Sequence, residues 1–174
     1  MDEILKVELP KFKASYNVKW SDEVDFSNLI NVKQVYGVLF NELGEILIVN
    51  TVGNWQLPGG KPEEGESWEE ALVREVNEEA DVEIDHIIPL GYQYVSEIKK
   101  LGNGNTFCQL RFLAKISKLN ESSKDPATGK IPERKFIRPD EFSNYCPWGK
   151  IGQHIIDKAT SIFLDKDNQR CPEF

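Results

Sequence analysis

Three observations predict a layered fold of mixed strands and helices, α/β or α+β, around a mixed sheet. Short β-rich runs recur from Val35 onward. One well-capped amphipathic helix interrupts them. A second helical pattern closes the chain. Strands interleaved with a central and a terminal helix bury their apolar faces by stacking as layers. The chain has 174 residues, of which 40% are hydrophobic and 29% charged, which fits one domain with its own core and disfavours disorder. Residues 1–174 therefore read as a single domain, with 1–33 as an N-terminal extension whose structure the pattern does not define.

The elements follow in order. Phe12 to Trp20 alternates as a strand does. Val35–Phe40 and Ile46–Asn50 are short β-rich runs joined by Asn41-Glu42-Leu43-Gly44-Glu45, a hairpin signature. Trp55 to Pro62 carries two prolines and two adjacent glycines, so a shaped loop is expected instead of a regular element. Ser67 followed by Glu70 is a capping box that opens a helix over about Trp68–Ala80. Within it Leu72, Val76 and Ala80 form one stripe facing a core. Val82–Leu90, Gly91–Ile98 and Phe107–Ile116 read as strands, with a turn at Leu101–Asn105. Residues 120–132 make a long polar loop, Lys135–Arg138 a last strand, and Ile151–Leu164 the terminal helix.

Composition excludes several partners. A formal net charge of -8 argues against a nucleic-acid backbone or an anionic membrane surface. Cys108, Cys146 and Cys171 are dispersed and odd in number, so no disulfide framework or zinc knuckle is indicated. No apolar run is long enough to span a bilayer, and the acidic start of the chain is unlike a secretory signal, so a cytoplasmic location is expected. The sequence holds no GxxxxGK[ST], GxSxG or HExxH.

The predicted central helix is unusually acidic. Between Glu63 and Asp85 the only base is Arg74. Glu69 and Glu70 complement the helix dipole in the first turn. Glu75, Glu78 and Glu79 do not, because they crowd one face near the negative end of the helix. Like charges about 5–6 Å apart repel by roughly 3 kcal/mol per pair at an effective dielectric near 20. One arginine cannot neutralise three carboxylates. Clustered hard oxygens suit Mg²⁺ or Mn²⁺, and the side-chain-free Gly59-Gly60 backbone can come close to a metal or a phosphate.

These residues resemble the signature box of the Nudix hydrolases. The matching positions are Gly60, Glu66, Arg74, Glu75, Val76, Glu78, Glu79 and Val82; Asp81 stands where the family has glycine. Asp is one of the few residues that tolerate the left-handed conformation found at helix ends, and the change removes no metal ligand. The resemblance implies a Nudix-like α/β/α sandwich and a divalent-metal-dependent hydrolase. Such an enzyme cleaves a pyrophosphate linkage in a nucleoside diphosphate derivative or nucleoside triphosphate. A non-catalytic nucleotide-binding module and, at lower rank, a diphosphate isomerase are the alternatives. The resemblance also implies a small nucleotide-type substrate, with a homodimer as the macromolecular partner common in the family.

Carried over by position, it implies catalytic roles for Arg74, Glu75, Glu78 and Glu79, and metal ligation by Glu75, Glu78, Glu79 and the Gly59 carbonyl. Arg74 is expected to hold a carboxylate, Glu66 or Glu78. Lys61 is a candidate for a substrate phosphate. Glu133 is a candidate for a further acid from a later loop, with Glu97 and Glu141 beside it. Tyr92, Tyr94, Phe107 and Trp148 are candidates to stack on a base or to fill the core.

Overall fold

The computed structural model describes residues 4–9, 14–50, 53–98, 104–124, 129 and 131–168. Its strands are β1 (Ile4–Leu9), β2 (Ala14–Ser21), β3 (Val32–Phe40), β4 (Ile46–Asn50), β5 (Trp55–Gln56), β6 (Gly59–Gly60), β7 (Val82–Glu97), β8 (Thr106–Leu119) and β9 (Glu133–Ile137). The helices are α1 (Trp68–Ala80), α2 (Phe142–Tyr145) and α3 (Gly149–Asn168). The strands form one sheet in the order β1-β2-β7-β8-β3-β4-β5, with β6 added to β3 and β9 to β4. β3 runs parallel to β8 and antiparallel to β4 and β6, so the sheet is mixed.

The helices cover opposite faces. Alternate strand residues point to opposite sides, and β3 divides accordingly. Val35 and Leu39 pack with Leu72 and Val76 of α1, whereas Val38 and Phe40 pack with Ile155 and Ala159 of α3. Leu47 and Val49 of β4 face α1, while Ile46 and Ile48 face α3. All these side chains are buried, and each large aliphatic one contributes about 1.5–3 kcal/mol of burial. The result is an α/β/α sandwich. No helix among the described residues is long and apolar enough to cross a membrane.

Several elements differ from expectation. β1 gave no sequence signal, yet it pairs with β2, and β2 pairs with β7, so the N-terminal segment extends the sheet. Phe12, expected to start the strand at 14–21, lies outside the described residues, as do 101–103 of the expected turn and 125–128 and 130 of the polar loop. The segment expected as a shaped loop holds two short strands around Leu57-Pro58. β6 docks on β3, and the Pro58 carbonyl accepts from Gly37 N–H at 3.0 Å. The two strands expected over 82–98 are one strand of 16 residues. Its register with β8 shifts near Glu83, Asp85 and Pro89, the last of these at the point where the two expected strands meet.

A clasp ties β2 to α3. Asp22 Oδ1 lies 2.9 Å from His154 Nε2 and accepts from Trp20 Nε1 at 2.9 Å and from Lys158 Nζ at 3.0 Å. Lys158 also donates to the Leu90 carbonyl at 2.8 Å. Burial alone would raise the Asp22 pKa, but the bonds to His154, Trp20 and Lys158 outweigh it and hold the carboxyl well below its usual range. A depressed carboxyl pKa stabilises the fold above the unfolded value, here 3.8, and that stability is lost as pH falls below it. Asp22→Asn should therefore lower the urea midpoint at about pH 5 and make progressively less difference toward about pH 2. A gap that stayed constant over that range would contradict the clasp.

Candidate active site

The site is built on α1, whose ends are both fixed. At the start, Ser67 Oγ accepts from Glu70 N–H at 3.2 Å, and Glu70 Oε2 accepts from Ser67 N–H at 2.8 Å. At the end, Asp81 takes the left-handed conformation (φ 50°, ψ 45°) and its N–H reaches the Asn77 carbonyl. The Asp81 carboxylate also has work of its own, accepting from the backbone N–H of Ser123 at 2.9 Å and from its hydroxyl. A glycine could not make those bonds. The last turn of α1 has no base of its own, and Arg134 of β9 supplies one. Its Nη1 donates to the Ala80 carbonyl and its Nη2 to the Asn120 carbonyl, both at 2.7 Å.

Arg74 organises the acids. Nε and Nη2 grip Glu66 Oε1 and Oε2 at 2.7 and 3.0 Å, the two-point geometry that gives such pairs their strength. Nη2 also donates to the Lys61 carbonyl at 3.0 Å, and Nη1 to Glu75 Oε1 at 3.0 Å and Glu78 Oε2 at 3.5 Å. The bond from Arg74 holds the Glu66 pKa well below its usual value. Glu75 moves the other way, raised chiefly by burial and further by Glu78, with Arg74 offsetting part of the rise. Glu79 Oε2 accepts from Gly59 N–H at 3.0 Å.

The two glycines fit this cluster for different reasons. Gly59 pairs with Tyr36 at φ +141°, and a Cβ there would lie 2.1 Å from the Val35 carbonyl oxygen. At Gly60 an added Cβ would lie 2.3 Å from Glu75 Oε2, so the carboxylate of Glu75 rests directly against this residue.

Among the described residues no three acidic, histidine or cysteine side chains converge as a metal-ligand set. Their oxygens turn instead to Arg74 and to Gly59 N–H. The donor chemistry still fits a hard divalent cation: oxygens from one helix face, one of them on a half-buried carboxylate that its neighbours only partly compensate.

Beside the loop opens a cleft of about 810 Å³. Its walls include Tyr36, Trp55, Tyr145 and Trp148, with Arg111 at its inner side. Tyr36 joins the two regions. Burial raises its phenol pKa most, Arg111 pulls it down, and the charges of Glu79 and Glu75 push it up.

The other expected residues scatter. The Lys61 side chain is exposed. Glu133 is exposed at the start of β9 and accepts from Asn50 Nδ2 at 3.2 Å. Glu97 accepts from Asn105 N–H, and Glu141 caps the turn before α2 by accepting from Arg138 N–H. Tyr92 packs edge-on to Phe26 on the α1 side, and Tyr94 is exposed. Phe107 and Trp148 do line the cleft. Sequence reasoning missed Tyr36, Trp55, Arg111 and Tyr145. A base inside the otherwise apolar run Leu110-Arg111-Phe112-Leu113 was the available signal.

The family profile of the NUDIX domain matches residues 31–158. The chain belongs to the Nudix family. Its fold is similar to that of the Bacillus subtilis pyrophosphohydrolase BsRppH, at 22% identity and a TM-score of 0.62, over 94% of this chain and 97% of that one. It is also similar to a NUDIX hydrolase from Nitrosomonas europaea (20% identity, TM-score 0.58, 76% and 90% of the two chains). A third likeness is to the C. elegans Ap4A hydrolase (22%, 0.51, 78% and 99%).

Within this Nudix site the two glycines should fail differently. Gly59→Ala strains a backbone conformation and meets a carbonyl, and should cost about 2 kcal/mol or more. Gly60→Ala meets only the end of a flexible side chain, and should cost less than about 1 kcal/mol while displacing Glu75. Urea unfolding of both variants checks the order; equal losses would contradict it.

Proposed function

We propose that this Nudix protein is a divalent-metal-dependent hydrolase that cleaves a pyrophosphate linkage in a nucleoside diphosphate derivative or nucleoside triphosphate, by attack of water on phosphorus. The observation that carries the reading is the row Glu75, Glu78 and Glu79 on one face of α1, beside the Gly59-Gly60 strand and next to a cleft with aromatic walls.

Glu75, Glu78, Glu79 and the Gly59 carbonyl are the groups that would hold Mg²⁺ or Mn²⁺. When bound, such an ion spreads charge from the phosphate oxygens and lowers the pKa of water. The rest falls to the chain's own residues. Arg74 keeps Glu66 and Glu75 in place through charge-assisted bonds and is a positioning residue. Glu75 sits against Gly60, and where it meets the metal through water instead of directly it is placed to orient the attacking water and take its proton. Gly59 N–H fixes Glu79 against the loop. Lys61 and Glu133 remain candidates for contact with a longer substrate.

The two described cysteines, Cys108 and Cys146, speak against the isomerase alternative, which would recruit a thiol. Burial raises the pKa of Cys108 and pushes that of Cys146 up to about 12, so neither supplies a thiolate near neutral pH.

A panel of nucleoside triphosphates, nucleotide sugars, ADP-ribose and dinucleoside polyphosphates, assayed with Mg²⁺ and Mn²⁺, tests the activity. Turnover should vanish with a chelator. Glu79→Gln should lower kcat by at least about 100-fold with circular dichroism and the unfolding midpoint nearly unchanged. Full activity in that variant would refute the ligand assignment. Tight nucleotide binding with no hydrolysis across the panel would select the non-catalytic module.

A further inference from the structure

The cleft contains a charge that pyrophosphate chemistry leaves unused. Arg111 is 2% exposed and lies between two rings, with its guanidinium carbon 4.5 Å from the centre of Tyr36 and 5.4 Å from that of Trp148. Nη1 donates to its neighbour's carbonyl, that of Leu110, at 3.1 Å. Nη2 donates to Gln93 Oε1 and, at 3.3 Å, to Gln109 Oε1. Nε is buried and has no partner. Among the described residues no carboxylate pairs with this arginine. A buried cation without a counter-charge and with an orphaned N–H is a standing cost to the fold. Burial lowers its pKa to about 10, yet it stays protonated at neutral pH.

The surroundings narrow what such a group would meet. Among the described residues that line the cleft, Arg111 is the only charged one. A phosphate subsite usually gathers several cations; this cleft surrounds one cation with neutral amides and aromatic rings. Rings accept a flat base by stacking, and amides suit its edges. With Nη2 committed to the two glutamines and one Nη1 hydrogen to Leu110, Arg111 keeps the Nε hydrogen and a second Nη1 hydrogen, both donors, so it favours a base edge that carries acceptors. Guanine has that edge in O6 and N7, whereas adenine places its N6 donor there.

We infer that the cleft is a nucleobase subsite in which Arg111, held by Gln93 and Gln109 between Tyr36 and Trp148, selects a guanine-type base over adenine. This deepens the hydrolase reading by naming the substrate's base. The subsite is not wholly a property of the family domain: Leu5, Val7, Tyr16 and Val18 of β1 and β2 complete its wall and lie before residue 31, where the family match begins.

Tryptophan fluorescence offers a readout that needs no turnover, because Trp55 and Trp148 line the cleft. Full-length, metal-free protein is titrated with guanosine, GMP, adenosine and AMP, and with inorganic pyrophosphate as competitor. Guanosine and GMP should bind about tenfold or more tightly than their adenine counterparts. Arg111→Met should remove the preference while circular dichroism stays unchanged. If that variant does not fold, Gln93→Met, which removes an amide that aims the guanidinium, should reduce the preference. Equal affinity for the two bases, or a preference that survives in the folded Arg111 variant, would overturn the inference. So would displacement by pyrophosphate of a signal that guanosine does not produce, which would identify an anion site. Base selection without hydrolysis of any guanine nucleotide would sink the hydrolase reading and keep the subsite; hydrolysis without base preference would do the reverse.

Discussion

Three carboxylates share one face of α1, and their mutual repulsion sets the terms for what surrounds them. Each is met in its own direction. Arg74 reaches Glu75 and Glu78 after committing two nitrogens to Glu66, and Gly59 N–H meets Glu79. The negative end of the helix, where anions are least welcome, receives Arg134 from a distant strand. Much of the local structure thus holds charge that the helix alone would expel. The loop can approach so closely only because Gly59 and Gly60 have no side chains to interpose.

The parts of this arrangement that were legible in the sequence are those fixed by short-range rules. Ser67 and Glu70 meet as a capping box, and Leu72, Val76 and Ala80 face the core, because both patterns close within one or two turns. Asp81 was legible as a residue tolerant of left-handed geometry, but its bonds to Ser123 were not, since they cross 42 positions. β7 was misread as two strands, which meet at one of the register shifts in a single long one. β1 was missed because its six residues owe their form to pairing with β2.

The same distinction separates the acids from the cleft. Glu75, Glu78 and Glu79 belong to one helix, so spacing alone placed them together. Arg111, Tyr36, Trp55 and Trp148 come from elements far apart in the chain and meet only after β8 has paired with β3 and α3 has packed below. A charged residue inside an apolar strand run is conspicuous, but nothing in one sequence says which rings will enclose it. The two regions share Tyr36, which pairs with Gly59 on one side and underlies Arg111 on the other.

The clasp at Asp22 bears on how the protein should be handled at the bench. The family match begins at residue 31, and an expression boundary drawn there would leave α3 without Asp22 or the Trp20 that packs beside His154. His154 and Lys158 would face solvent where a strand had been, and the cleft would lie open along the flank now closed by β1 and β2. A trimmed fragment of this kind would keep every glutamate of the box and still be a poor guide to what the whole chain selects.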